Sequence, residues 1–206
     1  MQKQTFFVTG ISTEVGKTVA SAIITEALEA DYWKPIQAGD LDHSDTHRVK
    51  ALISNNKTKF HPSAFELKTP MSPHAAAEID GVHIASAKIE VPQTDNNLVI
   101  EGAGGLLVPI SQTETILDLI KPDYKVIVVS RHYLGSINHT LLTIDKLKQS
   151  GKTIFGILFS GAKDKSTEQI IAKMSGVNII GRIDEEPYFD KMVVKEYAEE
   201  LVFSRQ

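Results

Sequence analysis

A glycine-rich segment that ends in lysine and threonine has the clearest chemical meaning in this sequence. Residues 10–18 read GISTEVGKT, after a β-branched run and before an amphipathic stretch. Glycines let a backbone wrap around phosphate oxygens, and the first N–H groups of a following helix favour anions. Lys17 in such a loop can reach the β- and γ-phosphates of a nucleotide, and the Thr18 hydroxyl can ligate Mg²⁺. The segment therefore predicts a phosphate-binding loop, or P-loop.

The spacing of the glycines differs from the strict P-loop pattern at one position. That pattern has glycine five residues before Gly16, where this chain has Ile11, and the glycine stands one residue earlier, at Gly10. A glycine-rich turn with a chance Gly-Lys-Thr is the alternative interpretation. The strand pattern before the segment and the helical pattern after it favour the P-loop, because that context is what a phosphate-binding loop requires.

A carboxylate at the end of a second apolar run could supply a metal ligand. Residues 97–101 read NLVIE, and four residues rich in glycine follow Glu101. Ligands of parallel α/β sheets bind at the carboxyl ends of the strands, where glycines allow close approach of the backbone. Glu101 is therefore predicted to lie beside the P-loop as a Mg²⁺ ligand. The alternative is a solvated strand end followed by an ordinary turn.

Two further charged residues follow a short candidate strand. Lys34 ends residues 32–34, and a lysine there would share the ligand crevice with Lys17, which suits a substrate with several negative charges. The alternative is a surface lysine before the turn at Pro35. Ser44 or Asp45 is predicted to cap a helix near residues 45–54. Capping alone would explain Asp45 unless the rest of a metal site lies nearby.

The elements that must position these residues alternate between strands and helices. Apolar runs predict strands at residues 5–9, 32–34, 97–101, 125–130, 153–159 and 177–180. Helical spacing of apolar residues predicts helices at 17–30, 136–149, 166–175 and 190–201. Residues 40–96 outside the predicted helix show no clear pattern. This alternation indicates an α/β fold with a mostly parallel central sheet and helices on both faces, in three layers.

Composition narrows the possible classes of protein. The chain has 206 residues with 42% hydrophobic and 23% charged residues, which is ordinary for a globular protein and predicts one domain over residues 1–206. The formal net charge of −4 argues against a nucleic-acid partner. The absence of cysteine excludes disulfides, thiolate metal sites and cysteine nucleophiles. Without a secretory h-region or a membrane-length apolar run, a cytoplasmic protein with no membrane partner is expected.

Taken in order along the chain, these motifs resemble those of the dethiobiotin synthetase family. The motifs are GISTEVGKT at 10–18, KPIQ at 34–37, SD at 44–45, SPH at 72–74, EGAGG at 101–105, VPIS at 108–111 and LGSINH at 134–139. Each is shared with other P-loop proteins, but the ordered set covers about residues 5–140 and is specific. The early glycine at Gly10 is itself the form found in this family. The resemblance implies a P-loop NTPase-like fold.

The resemblance also implies a reaction, that of a ligase of biotin biosynthesis. In the family, 7,8-diaminononanoate, CO₂ and ATP are converted to dethiobiotin, ADP and phosphate, with Mg²⁺ as cofactor. One amine of the substrate takes up CO₂ to form a carbamate, and ATP phosphorylates the carbamate to a carbamic–phosphoric anhydride. The second amine then closes the ureido ring and expels phosphate. Such an enzyme must align the reacting groups, neutralise charge and exclude water.

The matching positions imply roles for individual residues. Lys34, Lys17 and Thr13 match catalytic positions, and Thr18, Asp45 and Glu101 match the magnesium ligands. The nucleotide-binding positions correspond to Glu14, Val15, Gly16, Lys17, Thr18, Val19, Glu101, Gly102, Ala103, Gly104, Ser160, Gly161, Ile183, Asp184 and Glu185. The substrate-binding positions correspond to Ala38, Pro73, Leu134, Gly135, Ser136, Ile137 and Asn138. In the family, the last five belong to a partner subunit that caps the substrate's carboxylate tail, which implies a homodimer.

The chain departs from the family pattern at three places. Many relatives have Ser or Thr where this chain has Ala38, so one substrate hydrogen bond is missing or is supplied elsewhere. The adenine-reading Asn after the strand at 153–159 is replaced by Ser160-Gly161, and the later nucleotide loop reads GRIDE at 181–185. These departures predict looser discrimination between nucleotide bases, with ATP still the expected nucleotide.

Three other functions are alternatives for a chain with a P-loop. Amidotransferase ligases of cobalamin synthesis share the P-loop core, but they have a glutaminase domain with a nucleophilic cysteine, which this chain lacks. Partitioning ATPases of the ParA and MinD type have an extra lysine early in the P-loop, and residues 11–15 contain none. A GTPase switch would need an Asn-Lys-x-Asp base-reading motif, which is absent. Diamine-dependent ATP turnover distinguishes the first function from all of these.

Overall fold

A seven-stranded parallel sheet forms the centre of the protein in the computed structural model, which describes residues 3–203. The strands are β1 (Thr5–Gly10), β2 (Asp31–Trp33), β3 (Ile36–Ala38), β4 (Phe60–His61), β5 (Phe65–Leu67), β6 (Leu98–Gly105), β7 (Lys125–Arg131), β8 (Thr153–Ser160) and β9 (Ile179–Ile183). The helices are α1 (Lys17–Leu28), α2 (Asp45–Leu52), α3 (Pro73–Ile79), α4 (Ser136–Gln149), α5 (Lys165–Ser175) and α6 (Lys191–Glu200).

The order of strands across the sheet brings the sequence motifs to one edge. The order is β4-β2-β6-β1-β7-β8-β9, so β1 lies between β6 and β7, and β6 lies between β1 and β2. Since all pairs are parallel, the carboxyl ends of β1, β2 and β6 meet at one edge of the sheet. The P-loop follows β1 there, Lys34 follows β2, and the glycines after Glu101 are the last residues of β6.

Helices cover both faces of the sheet, which makes the predicted three-layer α/β/α fold correct. Helix α1 packs with α2 and α6, whereas α4 packs with α5. Coverage on both faces explains why successive strand residues are apolar: Phe6, Phe7 and Val8 of β1 are all buried. Among residues 3–203, the structure contains no helix that combines the length and the apolarity needed to cross a bilayer.

The predicted elements are correct in kind, and their bounds differ by a few residues. Strand β6, predicted at residues 97–101, extends to Gly105, and β9, predicted at residues 177–180, is found at Ile179–Ile183. The second half of β9 contains Gly181 and Arg182, which do not give an apolar pattern. Pairing with β8 nevertheless extends to Ile183, opposite Ser160. Tertiary pairing therefore decides where this strand ends.

The segment without a sequence pattern contains more structure than expected. The predicted helix is α2, and Ser44 caps it because its hydroxyl accepts a hydrogen bond from the backbone N–H of His47 at 3.4 Å. The sequence did not predict α3 or the small parallel sheet formed by β3 and β5. Strands of three residues are too short for a periodic pattern to reveal them.

Candidate active site

The P-loop backbone explains why glycine stands at Gly10. A Cβ atom placed there would lie 2.6 Å from Val15 Cγ2 and 2.8 Å from the Ser12 carbonyl oxygen, so the loop excludes a side chain at this position. Ile11, which occupies the strict glycine position, is buried without such a conflict. Gly16 has φ +88° at the start of α1, a left-handed conformation that favours glycine.

The amino end of α1 is open to an anion. Gly16 caps the helix without a side-chain hydrogen bond, and the first turn contains no acidic residue. Lys17 is buried, and its Nζ donates to the Ser12 carbonyl at 3.0 Å. Burial, with the nearby Lys34 charge as a second cause, lowers the pKa of Lys17 to about 8. Its ammonium therefore lacks a full negative partner in the loop, and a nucleotide phosphate would provide one.

Three oxygen donors meet beside the P-loop. The Thr18 hydroxyl lies 3.0 Å from Asp45 Oδ1 and 3.1 Å from Glu101 Oε1. Hydroxyl and carboxylate oxygens are the hard ligands that Mg²⁺ prefers, so these residues fit the metal implied by the family resemblance. Within residues 3–203, no group of three or more His, Cys, Asp or Glu side chains could hold a metal. A metal here would need further oxygens from phosphates and water.

Lys34 pairs with both carboxylates of this cluster. Its Nζ lies 2.7 Å from Asp45 Oδ2, 2.9 Å from Glu101 Oε1 and 3.1 Å from the Gly102 carbonyl. Lys34 is 4% exposed and Glu101 is 1% exposed, so the alternatives of a surface lysine and a solvated strand end are both wrong. Burial lowers the pKa of Lys34, but the Glu101 and Asp45 charges outweigh it and raise the pKa overall.

The same ion pair affects Asp45. Burial raises the pKa of Asp45, but the Lys34 charge, with hydrogen bonds from Lys34 and Thr18, outweighs it and lowers the pKa overall. The backbone of Asp45 is also fixed, because its N–H donates a hydrogen bond to Gln37 Oε1 at 3.2 Å. Asp45 is therefore charged at neutral pH and fixed at the start of α2.

Strand register explains how Lys34 and Glu101 come together. Tyr32 of β2 lies opposite Val99 of β6. Side chains two residues apart share a face, so Lys34 and Glu101 continue the same face toward the carboxyl edge. Tyr32 donates its hydroxyl to Glu101 Oε2 at 2.9 Å. Burial and the Glu101 charge raise the pKa of Tyr32 well above its usual value.

Sequence reasoning missed Tyr32 and Gln37. A tyrosine two residues before the lysine, in a strand buried on both faces, was the available signal for Tyr32. A buried phenol usually finds a hydrogen-bond partner, and the strand period places Tyr32 on the same face as Lys34. The identity of the partner, Glu101, depends on the pairing of β2 with β6. Gln37 had no comparable signal, because its contact depends on the fold of residues 38–45.

The residues matched to base recognition lie together at the ends of β7, β8 and β9. The Ser160 hydroxyl donates to the Val15 carbonyl of the P-loop at 2.7 Å. The Gly161 N–H donates to the Ile183 carbonyl at 2.9 Å, and Arg182 Nη2 donates to the Gly161 carbonyl at 2.7 Å. Glu185 pairs with Arg131 at 3.1 Å, a contact that sequence reasoning also missed. Asp184 is exposed beside Arg182.

A cleft of about 420 Å³ adjoins the P-loop on the side of α4. Thr13 of the P-loop, Leu106 and Val108 after β6, and Leu142 and Lys146 of α4 line this cleft. Pro73 begins α3, and the N–H of the next residue donates to the Pro109 carbonyl at the cleft's rim. Ala38 ends β3, one residue after Gln37.

The segment matched to tail binding lies at the amino end of α4 and faces outward. Leu134 is fully exposed and Ile137 is 37% exposed, whereas Ser136 is buried. Gly135 caps the helix in a left-handed conformation with φ +104°, and Asn138 lies in its first turn. The structure thus brings together the predicted residues of the P-loop, Lys34, Asp45 and Glu101. It leaves residues 134–138 outside that cluster within one chain.

Comparisons with known proteins agree on one family. The AAA domain family matches residues 4–193. The ATP-dependent dethiobiotin synthetase BioD of Christiangramia forsetii is 60% identical over 198 residues, which is 96% of each chain. The enzyme of the same name from Cytophaga hutchinsonii is 47% identical over 198 residues, 95% of this chain and 96% of its own.

Solved structures show the fold alone. A ParA family ATPase from Chlorobium tepidum superposes with a TM-score of 0.61 over 97% of this chain and 100% of its own, at 13% identity. That likeness supports the P-loop NTPase-like architecture and carries nothing about activity. The sequence relatives, which match almost the whole chain at high identity, decide the family. This chain belongs to the ATP-dependent dethiobiotin synthetase family.

Proposed function

We propose that this protein converts 7,8-diaminononanoate, CO₂ and ATP into dethiobiotin, ADP and phosphate. The observation that carries the proposal is the convergence of two buried lysines, one hydroxyl and two carboxylates at the end of the P-loop. Phosphoryl transfer to a carbamate needs this combination, since negative charge gathers on the γ-phosphate and the attacking oxygen. The names of the sequence relatives support the substrate assignment.

The chemistry has three steps, and each forms one bond. An uncharged amine of the substrate attacks CO₂ and loses a proton, which gives a carbamate anion. A carbamate oxygen attacks the γ-phosphorus of ATP, forms the carbamic–phosphoric anhydride and releases ADP. The second amine attacks the carbamoyl carbon, closes the five-membered ring, loses a proton and expels phosphate. Water competes in the last step, so the site must hold the second amine close to the anhydride.

The residues of this chain supply charge and alignment for these steps. Lys17, buried in the P-loop with its Nζ at the Ser12 carbonyl, would bind the β- and γ-phosphates. Thr13 lines the cleft beside it. Lys34 is the cation at the centre of the cluster, and its role is to bind both the carbamate and the transferring phosphoryl group. Glu14 to Val19 would hold the triphosphate, and Gly102 to Gly104 let the backbone pass close to it.

Mg²⁺ is the cofactor we propose, held by Thr18, Asp45 and Glu101. When bound, it neutralises charge on the β- and γ-phosphate oxygens. The fit rests on the three hard oxygens and on the low pKa of Asp45, whose carboxylate stays charged. The protein's part is to keep these oxygens in place and facing one another.

The aliphatic chain of the substrate would occupy the cleft beside Thr13. The apolar side chains of Leu106 and Val108, which line the cleft, suit methylene groups. We further propose that a second copy of the chain completes the site, with its residues 134–138 over the carboxylate tail. The exposed Leu134 and Ile137 and the open amino end of α4 support this assignment.

Base recognition is proposed at the ends of β8 and β9, and ATP is the proposed nucleotide. The Ser160 hydroxyl already bonds to Val15, and Glu185 is paired with Arg131. Few side-chain groups in this region are therefore free to read a base. We propose a cytoplasmic enzyme that needs no nucleic acid or membrane, and the net charge of −4 supports the part of this proposal that concerns nucleic acid.

The test of the function is diamine-dependent ATP turnover. Phosphate release is measured with ATP, Mg²⁺ and bicarbonate, with and without 7,8-diaminononanoate, and dethiobiotin is followed by mass in the same reaction. We expect release to depend on the diamine and to match dethiobiotin one to one. ATP turnover that does not depend on the diamine would still be consistent with a P-loop that binds nucleotide, but it would contradict the substrate assignment.

The dimer has its own test in Leu134→Asp. Leu134 is fully exposed in the single chain, so a charge there should leave the monomer's stability unchanged. We expect sedimentation to show a shift from dimer to monomer, and KM for the diamine to rise about tenfold or more, in line with loss of a central interface residue. Met192→Asp on α6, also exposed, is the control. A variant that remains dimeric with an unchanged KM would contradict the proposal.

A further inference from the structure

The carboxylate of Glu101 has two oxygens with different surroundings. Oε1 faces the cluster, at 3.1 Å from the Thr18 hydroxyl and 2.9 Å from Lys34 Nζ. Oε2 faces away from it and accepts a hydrogen bond from the Tyr32 hydroxyl at 2.9 Å. Tyr32 is wholly buried and Glu101 is 1% exposed. The two oxygens are thus distinguished by the protein itself.

We infer that Tyr32 is a positioning residue for magnesium binding: its hydroxyl fixes the Glu101 carboxylate so that Oε1 faces the metal site beside Thr18. The inference rests on the proposed role of Glu101 as a magnesium ligand. Partners that hold the outer oxygen of a metal-binding carboxylate set its orientation, and their loss typically weakens metal binding. Without the phenol, the carboxylate can rotate about its last bond and lose the favoured orientation.

The packing around Tyr32 allows its hydroxyl to be removed alone. Its ring lies 5.9 Å from the ring of Phe60 on the neighbouring strand β4, and Tyr32→Phe keeps this contact. The chain also provides a matched control. Tyr124 is 3% exposed, and its hydroxyl has no hydrogen-bond partner within residues 3–203. Tyr124→Phe therefore removes a buried phenol hydroxyl without touching Glu101, and it controls for the loss of the hydroxyl group apart from the loss of the Tyr32–Glu101 hydrogen bond.

The experiment measures metal binding separately from turnover. Mn²⁺ is titrated by electron paramagnetic resonance into the protein saturated with a non-hydrolysable ATP analogue. We expect Tyr32→Phe to weaken Mn²⁺ binding about 10- to 100-fold, and Tyr124→Phe to bind as wild type does. The Mg²⁺ concentration for half-maximal phosphate release should rise by a similar factor in Tyr32→Phe only.

Three results would overturn the inference about Tyr32. Each of them can be distinguished from a failure of the proposed function, which the diamine assay tests. A Tyr32→Phe protein that binds Mn²⁺ within twofold of wild type would show that the hydroxyl does not position the ligand. Equal weakening by Tyr124→Phe would show a general effect of losing a buried hydroxyl. If the wild-type protein with bound nucleotide analogue binds no Mn²⁺, the proposed magnesium site is contradicted. This result is independent of the diamine assay, which tests the function.

A second measurement does not depend on the folding of Tyr32→Phe. Mg²⁺ added to the wild-type protein with the ATP analogue should change the tyrosine ultraviolet difference spectrum, because the metal withdraws charge from the carboxylate that accepts the phenol's hydrogen bond. The same change should persist in Tyr124→Phe. A wild-type spectrum that Mg²⁺ leaves unchanged would contradict a hydrogen bond between Tyr32 and a metal-bound Glu101.

Discussion

Lys34→Met is expected to abolish diamine-dependent phosphate release, with a loss of about 10³-fold or more. Lys34 is the cation closest to both carboxylates of the cluster, and the variant removes the charge that would stabilise the carbamate and the transferring phosphoryl group. Methionine keeps most of the side-chain volume, so the effect is not one of a cavity. Phosphate release and dethiobiotin mass measured together give the loss.

The same substitution should also destabilise the protein. Removing one partner of a buried ion pair leaves a charge without compensation, which typically costs about 3–5 kcal/mol. Glu101 and Asp45 would both lose their lysine. Denaturant unfolding without metal measures this cost, and saturating Mg²⁺ should recover part of it, about 2.7 kcal/mol at 100 times its Kd.

Two controls give the Lys34 result its meaning. Lys125→Met removes a lysine at the opposite edge of the sheet, where its Nζ contacts Gln4 Oε1 at 3.2 Å, and should retain wild-type turnover. Lys34→Arg keeps the positive charge in a planar, larger group and should not restore activity, because the space between the carboxylates fits a compact ammonium. Substantial turnover by Lys34→Met would contradict the proposed role.

The site could be predicted largely because its residues follow strands. A lysine or glutamate directly after a buried apolar run must lie at the carboxyl edge of a parallel sheet. Lys34 and Glu101 satisfy this rule, whereas Lys17 was predicted from the P-loop motif, and the structure places all three at one edge. Asp45 needed the family resemblance, since its position depends on the turn after β3 and on the Ser44 cap.

What the sequence could not predict are contacts that depend on which strands are neighbours. Nothing local to residues 31–33 or 98–105 indicates that β2 and β6 pair, yet this pairing brings Tyr32 to Glu101. The contact between Arg131 and Glu185 likewise depends on the adjacency of β7, β8 and β9. Such contacts join residues 54 or more positions apart, and no sequence period encodes them.

Lys17→Met is expected to lose ATP-dependent phosphate release about as completely as Lys34→Met does, by about 10³-fold. Lys17 is the P-loop cation, and its neutral replacement keeps the loop's volume but cannot bind the β- and γ-phosphates. The difference between the two variants lies in stability. Lys34 has two carboxylate partners, whereas in the described part of the chain Lys17 Nζ donates only to the Ser12 carbonyl.

The lowered pKa of Lys17 gives the sign of the stability effect. Because burial shifts this pKa from 10.5 to about 8, the folded protein binds fewer protons than the unfolded chain between those values. The penalty for burying the charged ammonium is therefore fully present below about pH 8 and is relieved as the pH rises toward 10.5. Lys17→Met removes the penalty at pH 7 and should leave the nucleotide-free protein as stable as wild type or more so.

Denaturant unfolding of the nucleotide-free variants at pH 7 compares these two lysines directly. Lys34→Met should unfold at lower denaturant than wild type, and Lys17→Met at the same concentration or higher, although both are inactive. A Lys17→Met protein that is clearly less stable than wild type would mean that its ammonium has a negative partner in the resting loop. In that case a nucleotide phosphate would have to displace this partner before it could bind Lys17. Lys17 would then contribute less to nucleotide binding than it does if its ammonium is unpaired beside the open amino end of α1.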